Sequence, residues 1–128
     1  MTEELFESFE FNESTSFLIT EVNGHHIPED YLAFMHEHNG GEGPIGEEGY
    51  LQLVRLEELR SFNEEYEIPK WLPDKFIFGT DLGGNLYGFD PGRGSFCSID
   101  SCSIFEEDVF YAGETFEDFL KSVGDGEL

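Results

Sequence analysis

Apolar residues recur along this chain with two periods. Tyr31, Phe34, Met35 and His38 fall at i, i+3, i+4 and i+7, the spacing of one helix face. Pro28 suits the first helical position, and Asn39-Gly40 supplies a stop. The stripe recurs at Phe116, Phe119, Leu120 and Val123, opened by Thr115 and Asp118 in the pattern of a capping box. Leu56, Leu59, Phe62 and Tyr66 lie near one face of a further helix over residues 56–66. Core packing is the expectation for Met35 and its aromatic neighbours.

Short aromatic and β-branched runs carry the second period. Phe76-Ile77-Phe78 and Leu86-Tyr87-Gly88-Phe89 suit paired strands. Thr80-Asp81-Leu82-Gly83-Gly84-Asn85 joins them, and its Gly-Gly-Asn run supplies the positive-φ positions of an antiparallel hairpin. Further strands are predicted over residues 50–55, 96–99 and 104–111, around the turn Pro91-Gly92-Arg93-Gly94. Residues 41–49, made of Gly, Glu, Pro and Ile, are expected to form a mobile loop. Pro69, Trp71 and Pro73 mark an extended connection. Over residues 12–22, Phe17, Leu18, Ile19, Thr20 and Val22 favour a strand by propensity.

Charge changes the picture more than composition does. Six Lys+Arg against 29 Asp+Glu give a formal net charge of −23 over 128 residues. Such a field repels nucleic acid and anionic membranes and attracts basic partners. Solubility, or life in a high-salt cytoplasm, would account for the same number. With Phe 14, Tyr 5 and Trp 1 the chain has ample apolar surface for one core, so disorder does not follow from the acidity. No apolar run approaches the ~20 residues of a membrane span. Met1-Thr2-Glu3-Glu4 has no basic or apolar stretch behind it, so no signal peptide is expected and the cytoplasm is the expected compartment.

Catalytic chemistry is sparse. No nucleophile elbow, phosphate-binding lysine loop or H-E-x-x-H helix is present. His36 and His38 are two apart and so face different directions on a helix. Cys97 and Cys102, spaced C-x4-C, are expected to be free thiols, and neither a metal site nor a cofactor is predicted. Asp81-Leu82-Gly83-Gly84-Asn85 lacks the ligand spacing of a calcium loop. The chain is therefore not expected to be an enzyme. Trp71 either anchors a partner or closes one end of the core.

The hairpin segment also carries a resemblance. With Ile27-Pro28-Glu29-Asp30-Tyr31, Asn39-Gly40-Gly41 and the closing Thr115-Phe116-Glu117-Asp118-Phe119-Leu120, all in order, it resembles the SUKH superfamily of the SMI/KNR type. That group includes a yeast cell-wall-synthesis regulator and many bacterial toxin-immunity proteins. The match runs over roughly residues 12–123, with Ile27 where leucine is usual and Thr115 where serine is usual. Length and composition fit one domain over residues 1–128, and the resemblance implies an α+β fold with a mixed or antiparallel sheet of about five strands flanked by helices. It also implies a helix over residues 12–22, which is the expectation adopted there. Pro28, Tyr31, Gly40, Gly41, Gly83 and Gly84 match family positions and read as structural, needed for turns and packing.

The functional expectation joins the resemblance to the charge. A non-catalytic immunity protein would neutralise a basic toxin domain, such as a nuclease, by direct binding, since a nuclease presents a cationic substrate groove. A regulatory scaffold and a small-ligand or peptide binder remain as alternatives. The surface candidates for partner contact are Asp81 and Asn85 at the hairpin tip, Glu47 and Glu48 in the expected loop, and Trp71.

Overall fold

A computed structural model describes residues 3–128. In chain order its elements are β1 (Glu10–Phe11), β2 (Glu21–Val22), β3 (His25–His26), α1 (Glu29–His38), β4 (Gly41–Ile45) and β5 (Gly49–Leu53). These are followed by α2 (Leu59–Glu65), α3 (Ile68–Trp71), β6 (Phe76–Thr80), β7 (Asn85–Asp90), β8 (Ser95–Asp100), β9 (Phe110–Tyr111) and α4 (Phe116–Gly124). One antiparallel sheet runs β1-β4-β5-β6-β7-β8-β9, and β2-β3 form a separate ribbon. The architecture is α+β, with the sheet wider than expected because β4 and the two-residue edge β1 join it, while the strand expected over residues 104–111 shortens to β9.

The two faces of the sheet are covered differently. On one, α1 and α4 build an aromatic core in which Tyr31, Phe78, Phe96, Phe116 and Phe119 are all buried. Tyr31 meets Phe78 and Phe116 at centroid distances of 4.9 and 5.3 Å. Asp30 ties the helices together, because its Oδ2 accepts from the Phe116 backbone N–H at 2.8 Å. Thr115 Oγ1 accepts from the Asp118 N–H at 3.0 Å, so two of the unpaired donors opening α4 are satisfied. On the other face Ile68, Leu72, Ile77, Leu86, Cys97 and Ile99 form a smaller core under α2 and α3.

Local rules hold at the C-terminal end of α1 and in part in the central hairpin, where Gly84 but neither Gly83 nor Asn85 takes the expected positive φ. Asn39 adopts the left-handed conformation (φ 46°) and ends α1. Gly40 and Gly41 follow at positive φ, where a Cβ would collide with the backbone oxygens of Leu53 and Glu10 respectively. The structural reading of these two glycines follows from that close approach. In the β6–β7 turn the positive-φ residues are Leu82 (60°) and Gly84 (112°), while Gly83 is not among them.

Several expectations give way to tertiary contacts. Residues 12–22 are not helical; only Glu21–Val22 is regular, paired with His25–His26. The segment instead lies along α1, where the Thr15 N–H donates to His36 O at 3.1 Å and the Asn12 side-chain amide to Asn39 O at 3.0 Å. Its backbone finds partners outside itself, and Ile19 and Val22 reach the core while Leu18 stays 87% exposed. Residues 41–49 are not a mobile loop but strand β4 and a tight turn, because β4 pairs along its whole length with β5. Pro69 and Trp71 belong to the helical turn α3 rather than to an extended connection. Within 104–111 a 3₁₀ turn at Glu106–Asp108 precedes the short β9. Pro28 is the cap residue before α1, not its first residue, and α2 is preceded by a separate 3₁₀ turn at Leu56–Glu58.

Candidate functional site: a carboxylate-lined groove

Strand register brings together residues that are remote in sequence. Glu10 is opposite Glu42, Glu42 opposite Gln52, and Gln52 opposite Thr80, so one straight row crosses four strands. It continues through Leu86 to Ile99 in the smaller core. The row is thus polar at the β1 end and apolar toward β8. The α2 side chains cover the apolar part and leave the polar part open. The result is a groove of about 930 Å³, floored by Glu10, Glu42, Gln52 and Thr80 and walled by Glu58, Phe62, Glu65 and Tyr66. Leu82 and Gly84 of the hairpin tip, with Ser101, complete its rim.

Its electrostatics are one-sided. Glu10, Glu42, Glu58 and Glu65 line it, and Arg55 is the basic residue in that lining. Glu10 and Glu42 are like charges directly opposed across a strand pair, an arrangement that destabilises a sheet. Glu42 is held in place: Tyr50 OH donates to one carboxylate oxygen at 2.7 Å and the Gln52 side-chain amide to the other at 2.9 Å. The Tyr50 hydroxyl is shifted above its usual pKa by that hydrogen bond, by desolvation, and by the charges of Glu42 and Glu10. Glu58 is partly committed to the Arg55 backbone N–H at 3.2 Å. The carboxylates of Glu10 and Glu65 make no hydrogen bond or ion pair among the described residues.

The residues singled out in the sequence are not gathered into one place. Asp81 and Asn85 belong to the hairpin turn but are not in the groove lining, and their polar groups close the hairpin. The Asp81 carboxylate accepts from Gly83 N (2.7 Å), Asn85 N (3.0 Å) and Asn85 Nδ2 (2.9 Å). Glu47 and Glu48 lie in the β4–β5 turn beside the end of α4, where the Glu48 N–H donates to Gly124 O at 3.0 Å. Trp71, 46% exposed, packs edge-on against the exposed Phe105, and the Lys70 ammonium lies 4.8 Å from its ring centroid. None of these three lines the groove.

Two polar residues that sequence reasoning passed over are fully buried. Asn63 of α2 accepts from Ile77 N at 2.8 Å and donates to Ile77 O at 2.9 Å. It completes the hydrogen bonding of β6 beside the register shift between Ile77 and Gly79. Lys75 is 0% exposed; its ammonium lies 3.2 Å from Asp90 and 2.5 Å from Glu106. Tyr111 OH donates toward both carboxylates, at 3.0 and 2.9 Å. Burial alone would lower the Lys75 pKa, but Glu106, Tyr111 and Asp90 outweigh it and hold the ammonium above its usual value. Asp90 is likewise opposed by burial, yet Tyr111, Lys75 and the Arg93 N–H keep it below the usual carboxylate range. The scarcity of cations, 6 against 29 acids, was the one signal that Lys75 had a specific partner.

Beside this cluster the Cys97 thiol is pushed up to about 12, chiefly by burial, so it is no ready nucleophile. Cys97 and Cys102 are both free. Among the described residues no group of three or more His, Cys, Asp or Glu is placed to hold a metal ion, and no helix is long and apolar enough to cross a membrane.

Fold and groove together define an α+β domain with a helix-covered antiparallel sheet, one corner of which stays open and carries carboxylates. The SMI1 / KNR4 family (SUKH-1) model matches residues 19–122, and the chain belongs to that family. No curated protein matches it.

Proposed function

We propose that this chain is a non-catalytic, cytoplasmic binding protein of the immunity type, which neutralises a basic protein domain by direct contact. The observation that carries this reading is the open groove with four carboxylates and one guanidinium in its lining. A shallow, wide groove of that charge suits a protein surface better than an enclosed small molecule, for which pockets bury most of the ligand. Family membership supports a protein-interaction role. The net charge of −23 adds long-range attraction for a cationic partner.

The partner to test is the product of the neighbouring gene. Stopped-flow mixing across a salt series should show association slowing steeply as the Debye length falls from ~30 Å at 0.01 M to ~8 Å at 0.15 M, with dissociation changing much less. A salt-independent on-rate would return the charge to a solubility role. Absence of binding at every salt concentration would sink the immunity reading.

A further inference from the structure

The groove has an internal order that a general acidic surface lacks, and this inference deepens the reading just given. From Glu10 to Thr80 the floor crosses three inter-strand steps, about 14 Å at the usual strand spacing of ~4.8 Å. An extended chain rises ~3.3 Å per residue, so the floor matches the length of a segment of four to five residues. Alternate side chains of such a segment point the same way. Carboxylates stand at one end of the floor, in Glu10 and Glu42, and again on the α2 wall in Glu65. Phe62, Tyr66 and Leu82 supply apolar surface. Among the described residues the carboxylates of Glu10 and Glu65 make no hydrogen bond or ion pair, and the opposed Glu10–Glu42 pair is a local cost that a bound cation would relieve.

We infer that the groove recognises a short extended segment of a basic partner protein, with two arginine or lysine side chains flanking one apolar side chain at alternate positions. The cations pair with Glu10–Glu42 and with Glu65, and the apolar side chain covers Phe62, Tyr66 and Leu82. Charge decides the occupant. A second copy of this chain would bring another −23 to a carboxylate-lined surface, and a nucleic acid would bring phosphates.

The full chain, labelled with ¹⁵N, is titrated with a blocked peptide of sequence arginine-serine-leucine-serine-arginine. Amide shifts should concentrate at Glu10, Glu42, Gln52, Glu65, Tyr66 and Leu82. The double variant Glu10→Gln/Glu65→Gln should bind the peptide at least tenfold more weakly. The control Glu47→Gln/Glu48→Gln removes the same two charges outside the groove and should bind within twofold of wild type. A peptide with serine in place of leucine should bind more weakly as well.

Equal weakening by both double variants would assign the attraction to the whole-surface field and overturn the inference. Shifts centred elsewhere, no shifts, or self-association through this face in sedimentation would overturn it too. The neighbouring gene product separates the two readings. Full-strength binding of that protein to the groove variant refutes the groove while leaving the immunity reading intact. Peptide binding in the groove without any binding of that protein does the reverse.

Discussion

Replacing Lys75 with methionine tests how the second face of the sheet is held. The ammonium is fully buried, 3.2 Å from Asp90 and 2.5 Å from Glu106. At 3.2 Å and an effective dielectric of ~20, the attraction to Asp90 is about 5 kcal/mol. Desolvating the two charges costs a similar several kcal/mol, so the intact pair is close to balanced. Methionine removes the attraction and leaves Asp90, itself only 5% exposed, as a buried charge. The expected loss at pH 7 is about 3–5 kcal/mol. Urea unfolding followed by the fluorescence of the single tryptophan, Trp71, should then show a midpoint lowered by about 2 M, taking a slope of ~2 kcal/mol/M.

The pH dependence supplies a second reading of the same variant. Asp90 and Glu106 are both held below their usual values, so their contribution is present above their unfolded pKa of about 4. It is lost as pH falls through the lower, folded values. Without Lys75 the two carboxylates lose their cation and their pKa values rise, so acidification relieves the variant. The gap between variant and wild type should therefore narrow from pH 7 to pH 4. Lys75→Met/Asp90→Asn should recover part of the loss at pH 7. A cost under about 1 kcal/mol, or a gap of the same size at both pH values, would refute the reasoning.

Two further predictions concern the first core. The Tyr31 hydroxyl is buried without a hydrogen-bond partner among the described residues, and burial pushes its pKa up. Tyr31→Phe keeps the ring and removes an unsatisfied group, so calorimetry should show unchanged or raised stability, by up to about 1–2 kcal/mol; a loss above about 1 kcal/mol would reveal a partner for that hydroxyl. Phe119 is 0% exposed and packs on Phe78, Tyr87 and Phe96 at 5.3–5.5 Å. Phe119→Ala should cost about 3–5 kcal/mol in denaturant unfolding, and near-wild-type stability would make α4 peripheral.

What the sequence determined by itself lies where neighbours along the chain decide the outcome. The i, i+3, i+4, i+7 stripes of α1 and α4 fold as helices, because one helix face needs nothing remote to declare itself. Asn39-Gly40 ends α1, since left-handed conformations belong to those residue types. The hairpin around Gly83-Gly84 follows from turn chemistry. In each case the interaction partners lie within a few residues.

Tertiary structure decided the rest. Residues 12–22 lost their expected helix because α1 offers hydrogen bonds to Asn12 and Thr15. Gly41–Ile45 became a strand because β5 pairs with it and β1 covers part of its edge. Lys75 and Asn63 are buried because Glu106 and Ile77, 31 and 14 residues away, satisfy them. The groove is the extreme case. Its floor draws one residue from each of four strands, and the register joining Glu10 to Thr80 depends on pairings that no local periodicity encodes. The sequence could show that acids were abundant; only the register could show which of them share a surface.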